Sequence, residues 1–473
     1  MTRRGPVFCV VGLRYTNAGL FLFIRTLVLM YEGKSRTLFA RYAIPQMIGL
    51  LFNSVYMIVD GVFIGHRLGT ASMAAAAVSV PLIEILIALS MAVASGAGVL
   101  ISSHLGRGER ESAVQTFNIA LYGALGMGVL VMTLGNLFIH PLAAALGSTP
   151  EIHQEAIEYM RYIVTFSPFL ILSFLLSGLA RNDGRPRLAM AALAVGSISN
   201  IVLDYVFMYP LNMGIGGAAL ATAIGPVFSV LILLPHFLRR RGALAFARTR
   251  PQSRLLGRVY LLGFPSFIME FTIGIITFIY NSAIVRHGYG ELGLAAYLVI
   301  GYLMLIILTV FLGMAEGLQP VFSYFSGIGE EARCRAPRRF STGVFLAIGV
   351  GCYLLIVFFS RYFFAIFNPE DAVLIDFMQK RSLPYFCGLF LAGYNILMIS
   401  FRQSTRATNK ALAVSLARSI VWPLILMAAL PALFGREAIW FCHSAAEALT
   451  AACAFALLCR PVKNTARHRA KIA

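Results

Sequence analysis

The chain has 473 residues, of which 59% are hydrophobic and only 12% charged, and its mean hydropathy is +0.79. A soluble domain carries roughly 25% charged residues, so this chain lacks the polar surface to coat a water-soluble protein of its size, and a soluble enzyme is excluded. The net charge of +19 would suggest nucleic acid in a soluble protein. Here the basic residues sit in short segments between apolar runs, where they orient a membrane protein, and no nucleic-acid partner is expected.

The first 38 residues fit poorly. Phe8 to Met30 is apolar but interrupted by Arg14, Asn17 and Arg25, with neither the unbroken apolar stretch nor the small-residue cleavage site of a signal peptide. Met30 opens a segment suited to an ordinary start, and no function is placed before it. Twelve spans follow, near 40–65, 74–104, 114–138, 157–180, 188–209, 216–238, 259–284, 292–325, 340–360, 382–401, 411–433 and 438–459. Each reaches the roughly 20 apolar residues that cross a bilayer. The expected class is an all-α integral membrane protein of twelve helices. Its N-terminal lobe would occupy 39–238, a basic loop 239–258, the C-terminal lobe 259–460 and a basic tail 461–473.

With the N-terminus inside, 31 of the 39 Lys and Arg fall on inner segments and 7 on outer ones. That bias predicts both termini in the cytoplasm. Arg418 alone lies within a span. The seven cysteines show no metal-ligand spacing and read as small packing residues.

The two halves repeat. Tyr42-Ala43-Ile44-Pro45 opens the first span and Leu262-Gly263-Phe264-Pro265 the seventh. Gly106-Arg107-Gly108-Glu109 ends the second and Gly327-Ile328-Gly329-Glu330 the eighth. Arg181 follows the fourth and Arg402 the tenth. The offset stays at 220 or 221 residues, which marks an internal repeat. Six spans per half make both halves enter the membrane in the same direction. They are then related by an axis along the membrane normal, as in transporters built from parallel repeats.

A charged side chain at the bilayer centre costs at least ~2.5–3.5 kcal/mol, so each acid within a span needs a reason. Asp60 lies fifteen residues beyond Pro45, which frees a backbone carbonyl and permits a bend. Asn200 and Asp204 are one turn apart on the fifth span, facing one side, with Thr222 on the next helix. These hard oxygen donors suit H+ or Na+; Asp60, Asn200, Asp204 and Thr222 can form one polar cluster, whose structural alternative is an interhelical hydrogen-bond network. Glu84 and Glu270 are candidate cavity acids that attract cations or pair structurally. Glu316 reads as an acid near a cytoplasmic end, and Glu447 as a partner of His443. The C-terminal positions matching Asp60 and Asp204 fall near Tyr280 and Ile425, neither a carboxylate, which assigns ion coupling to the N-terminal half. There is no Walker A loop, HExxH site or GxSxG elbow. No catalytic residue, metal site or cofactor is expected, and an ion gradient must supply the energy.

The segments RYAIPQMIGLLFNSVYMIVDGVFIGHRLG, SISNIVLDYVFMYPLNMGIGGAALATAIG and GFPSFIMEFTIGIITFIYNSAIV resemble the multidrug and toxic compound extrusion (MATE) family over roughly residues 38–460, on the side of its bacterial DinF- and MepA-like branch. The resemblance implies an outward-facing V of two six-helix lobes in a bacterial inner membrane, working as a monomer. It implies export of cationic, amphipathic small molecules in exchange for H+ or Na+. It also implies an N-lobe ion site at Asp60, Asn200, Asp204 and Thr222, with Pro45 as the bending proline. The NorM-like branch adds C-lobe acids. Glu270 matches one of these, but the tenth span has none, Asn395 being its most polar residue. The rival readings are an exporter of a lipid-linked or endogenous cargo and, more remotely, a membrane-embedded enzyme. The first wants a cationic cavity and the second a His, Asp or Glu cluster near one membrane face.

Overall fold

The computed structural model describes residues 34–365 and 372–458; what was expected of residues 1–33 and of the tail 461–473 lies outside the described residues. No strand occurs among the described residues. The first lobe comprises α1 (Ser35–Leu68), α2 (Thr70–Gly106), α3 (Arg110–Leu137), the short α4 (Ile139–Ala145), α5 (His153–Thr165), α6 (Ser167–Asn182), α7 (Pro186–Met208) and α8 (Gly214–Leu238). The second comprises α9 (Ser253–Arg286), α10 (Gly290–Gly327), α11 (Arg335–Ala365), α12 (Ala372–Phe386), α13 (Leu389–Ser404), α14 (Thr408–Leu416), α15 (Trp422–Phe434) and α16 (Cys442–Leu458). A wider π-helical turn, Ala417–Val421, joins α14 to α15 as one span.

Among the described residues ten helices are long and apolar enough to cross a membrane, and two bent pairs bring the spans to twelve when each pair is taken as one. The sequence predicts the bent pairs as single runs. They break by 47° between α5 and α6 and by 44° between α12 and α13. At the first, Pro168 supplies no N–H to continue the ladder. At the second, Ser444 satisfies the freed backbone: the Gly388 amide donates to its hydroxyl at 2.8 Å, and that hydroxyl reaches the Pro384 and Tyr385 carbonyls at 2.9 and 2.8 Å. Pro45, by contrast, lies inside α1, which runs continuously from 35 to 68.

The repeat is visible in the backbone. The breaks at Phe166 and Cys387 lie 221 residues apart, and the longest helices, α2 and α10, are equivalents. Gly108 and Gly329 both turn the chain with φ near +75°, and so do Gly214 and Gly435 at +62° and +83°. Each pair is again 221 apart, and a Cβ disfavours this conformation.

The lobes meet where α2 packs on α9 and α1 on α10. This seam requires small residues. A methyl on Gly106 would stand 2.6 Å from the Tyr324 carbonyl oxygen. On Gly327 it would stand 2.4 Å from that of Ser103. These two contacts are images of each other under the 221-residue shift. Both lie at the end of the bundle carrying Arg107, Arg110, Arg185, Arg239 and Arg333, here the basic end. The inter-lobe segment, expected as a basic loop over 239–258, is strapped to the first lobe before α9 begins at Ser253. The Ala243 amide donates to Asp183 Oδ1 at 2.7 Å, while Asn118 accepts from the Ala247 amide and donates to the Ala245 carbonyl.

Candidate functional site

In the first lobe α1, α5, α7 and α8 bring the buried Asp60, Tyr159, Asn200 and Asp204 and the half-buried Thr222 into one polar cluster. The Tyr159 hydroxyl donates to Asp60 Oδ2 at 3.3 Å. Asn200 turns its NH2 to Asp204 Oδ2 at 3.2 Å, and its amide oxygen accepts from the Thr222 hydroxyl at 3.2 Å; the opposite orientation would set oxygen against carboxylate. Each carboxylate keeps one oxygen, Oδ1, without a hydrogen-bond partner among the described residues, and neither has a salt-bridge partner there. Asp60 and Asp204 act on each other electrostatically, and Tyr56, one turn before Asp60, stands in the field of both. Two uncompensated carboxylates in a low-dielectric interior repel each other and call for a cation.

Thr222 also borders an apolar chamber inside this lobe, whose wall includes Asn53, Tyr56, Ile87, Phe166 and Phe174. Of the cluster residues, Thr222 is the one that lines this space. Glu84 on α2 acts on Tyr56, beside the cluster, and on Glu270 of α9, which also feels the charge of Glu316 on the seam.

The second lobe is built differently. Glu447, 2% exposed, is held by Arg418 from the π-helical turn at 2.7, 2.9 and 3.1 Å and by the Asn395 amide at 2.8 Å. His443, the expected partner, is 4.0 Å away and stacks instead on Tyr385 with ring centroids 4.9 Å apart. Tyr280, opposite Asp60 in the repeat, stacks on Tyr297 at 5.0 Å. Ile425, opposite Asp204, is 50% exposed on the outside of the bundle.

Sequence reasoning missed three things here. Tyr159 carried no signal. Arg418 and Glu447 were each visible as buried charges, but not as each other's partner. Glu316 sits on the seam, where it accepts from Gln46 Nε2 at 3.0 Å and faces Arg181 at 3.6 Å, with a role beyond that of a helix-end acid.

A bundle of two repeated lobes with up to twelve spans among the described residues, and a polar cluster inside the first lobe, has the build of a membrane transporter. The MatE profile matches residues 45–206 and again 265–428, and the chain belongs to that family of transporters. It is 25% identical over 421 residues to the multidrug export protein MepA of Staphylococcus saprophyticus, covering 88% of this chain and 92% of that one. It is 25% identical over 424 residues to MepA of Staphylococcus aureus RF122, with the same coverage. Among solved structures it superposes on MATE in the straight conformation (TM-score 0.86, 22% identity, 91% of this chain and 96% of that one). It superposes equally on the outward-facing conformation of a multidrug resistance MATE family transporter (TM-score 0.85, 23% identity, 91% and 96%).

Proposed function

We propose that this protein exports amphipathic, cationic drugs or toxic compounds from a bacterium in exchange for H+ or Na+, by alternating access across the cytoplasmic membrane. The observation that carries the reading is the pair of buried carboxylates, Asp60 and Asp204, from two helices of one lobe, with no basic side chain paired to either and one oxygen of each without a partner among the described residues. The multidrug export function of the MepA relatives supports the cargo class. The basic end is the cytoplasmic face by the positive-inside rule, so the seam closes the inside and the chamber side faces out. The protein works as a monomer in the bilayer, with both termini in the cytoplasm.

A cation entering from outside neutralises the two carboxylates. Asn200 fixes the orientation of Asp204, Tyr159 fixes that of Asp60, and Thr222 joins the cluster to the chamber wall. Occupation draws α1 and α7 together through Asp60 and Asp204 and repacks the chamber against the cargo. With the ion gone, mutual repulsion favours the cargo-accepting packing. The coupling ion is a substrate of the exchange; no cofactor is required.

The test is ethidium efflux from a host lacking its own pumps, with H+ and Na+ gradients imposed separately. Wild type is expected to respond to one gradient, and Asp60→Asn to fall to background at equal membrane insertion. Efflux preserved in Asp60→Asn would overturn the reading. Absence of efflux from inserted wild type under both gradients would redirect it to a lipid-linked or endogenous cargo.

A further inference from the structure

Two polar groups cross the seam from opposite directions. Ser95, on α2 of the first lobe, reaches into the second. Its hydroxyl meets Gln319 Nε2 at 2.7 Å, Gln403 Nε2 at 2.9 Å and Ser266 Oγ at 3.0 Å. Glu316, on α10 of the second lobe, reaches into the first, where it meets Gln46 and Arg181. Positions 95 and 316 are 221 residues apart, so they are the same position of the repeat. Each is followed by the glycine that admits the opposing backbone. A methyl on Gly96 would stand 1.9 Å from the Val259 carbonyl oxygen, and on Gly317 2.4 Å from that of Tyr42.

We propose that Ser95 and Glu316 are paired latches that hold the two lobes shut at the basic end, and that Glu316 is the latch that releases first. Their chemistry differs in the way release requires. The Ser95 latch is neutral and well bonded, with Gln403 also donating to the Leu262 carbonyl at 2.8 Å and Gln319 to the Ser95 carbonyl at 2.9 Å. The Glu316 latch is charged and incompletely bonded. The Arg181 guanidinium lies at 3.6 Å from Glu316, beyond hydrogen-bond distance, and the buried Gln46 Oε1 has no partner among the described residues. Unpaired buried polar atoms destabilise the state that holds them, so the closed arrangement is weaker on this side. The lobes then part by swinging about the Ser95 side. Gln46 and Asp60 share α1, fourteen residues or ~21 Å apart along one helix. One element therefore carries both the ion-binding carboxylate and the latch contact. These are positioning residues: they set which face is open and touch neither ion nor cargo.

This inference rests on the alternating-access reading, and the test separates the two. Spin labels go on Glu111→Cys and Ala332→Cys in the full chain with its own cysteines replaced. These exposed, equivalent positions lie on different lobes at the basic end. Distances are measured by pulsed electron paramagnetic resonance in lipid nanodiscs, without gradient or cargo. Glu316→Gln is expected to raise the ratio of long to short distances at least tenfold, Ser95→Ala about threefold. The double variant Arg181→Glu with Glu316→Arg should return the ratio toward wild type, which a purely structural defect would not. Should Glu316→Gln fail to yield monodisperse protein, Gln46→Leu reads the same latch. Unchanged distances in both latch variants, or a shift that the charge exchange does not reverse, would overturn the proposal. Failure of alternating access itself would show separately, as a wild-type distribution indifferent to Na+, pH and ethidium.

Discussion

The two lobes share one fold and handle buried charge in opposite ways. In the first lobe Asp60 and Asp204 are buried without a basic side chain, and their hydrogen bonds come from neutral groups, Tyr159 and Asn200. In the second, Glu447 is buried with a built-in counter-ion, Arg418, and a neutral donor, Asn395. A buried ion pair that is complete has no use for a further cation, whereas an uncompensated carboxylate pair draws one in. The comparison gives a physical reason for placing ion exchange in one repeat and a fixed scaffold in the other. The π-helical turn at Ala417–Val421 belongs to the same difference: it carries Arg418 in the helix equivalent to α7, where the first lobe instead has an uninterrupted helix with Asp204 inside.

The largest effect is expected in the scaffold lobe. Arg418→Met leaves Glu447 buried and unpaired, a loss of about 3–5 kcal/mol, read as a fall in thermal stability of the detergent-solubilised protein. Adding Glu447→Leu removes the stranded charge. The double variant should recover most of that stability and still export ethidium, because its lobe binds no ion in this scheme. If the double variant folds well but loses gradient-driven export, the division of labour between lobes is broken.

In the lobe proposed to exchange ions the order reverses. Asp204→Asn should leave stability nearly intact, since it removes a repelling charge, yet bring export down to background, measured alongside equal membrane insertion. Smaller again is Thr222→Val, which removes the hydroxyl that orients Asn200. A hydrogen bond of about 1 kcal/mol corresponds to roughly a fivefold weaker apparent ion affinity, to be read from the ion dependence of efflux. Tyr159→Phe removes a longer bond and should weaken ion affinity by about twofold to threefold, with maximal efflux kept. A Tyr159→Phe variant more damaging than Thr222→Val would place Asp60, rather than Asp204, as the dominant ion ligand.

Much of this architecture was legible in the chain. Hydropathy runs marked every span because each membrane helix must be apolar along its own length. The constant offset exposed the repeat, since equivalent helices carry equivalent breakers and turn glycines. The acids of the first lobe stood out because charge inside a bilayer needs a reason, and Asn200 and Asp204 shared a helix face by spacing alone. The bends at Phe166 and Cys387 were not legible: the second depends on Ser444, more than fifty residues away, to satisfy freed backbone groups.

Sequence alone therefore determined the class, the number and order of spans, the repeat, and which residues carry unexplained charge. These are properties of single segments read against the bilayer. Which charges meet was decided only by the tertiary structure. Glu316 and Gln46 are 270 residues apart, Arg418 and Glu447 are 29 apart on different helices, and Tyr159 reaches Asp60 across 99. Helical period fixes the face a residue occupies on its own helix but says nothing about which helix covers that face. That depends on close packing of whole helices, here through Gly96, Gly106, Gly317 and Gly327. The same packing made Glu447 half of a closed pair, left Asp60 and Asp204 without a basic partner, and set Glu316 across the seam.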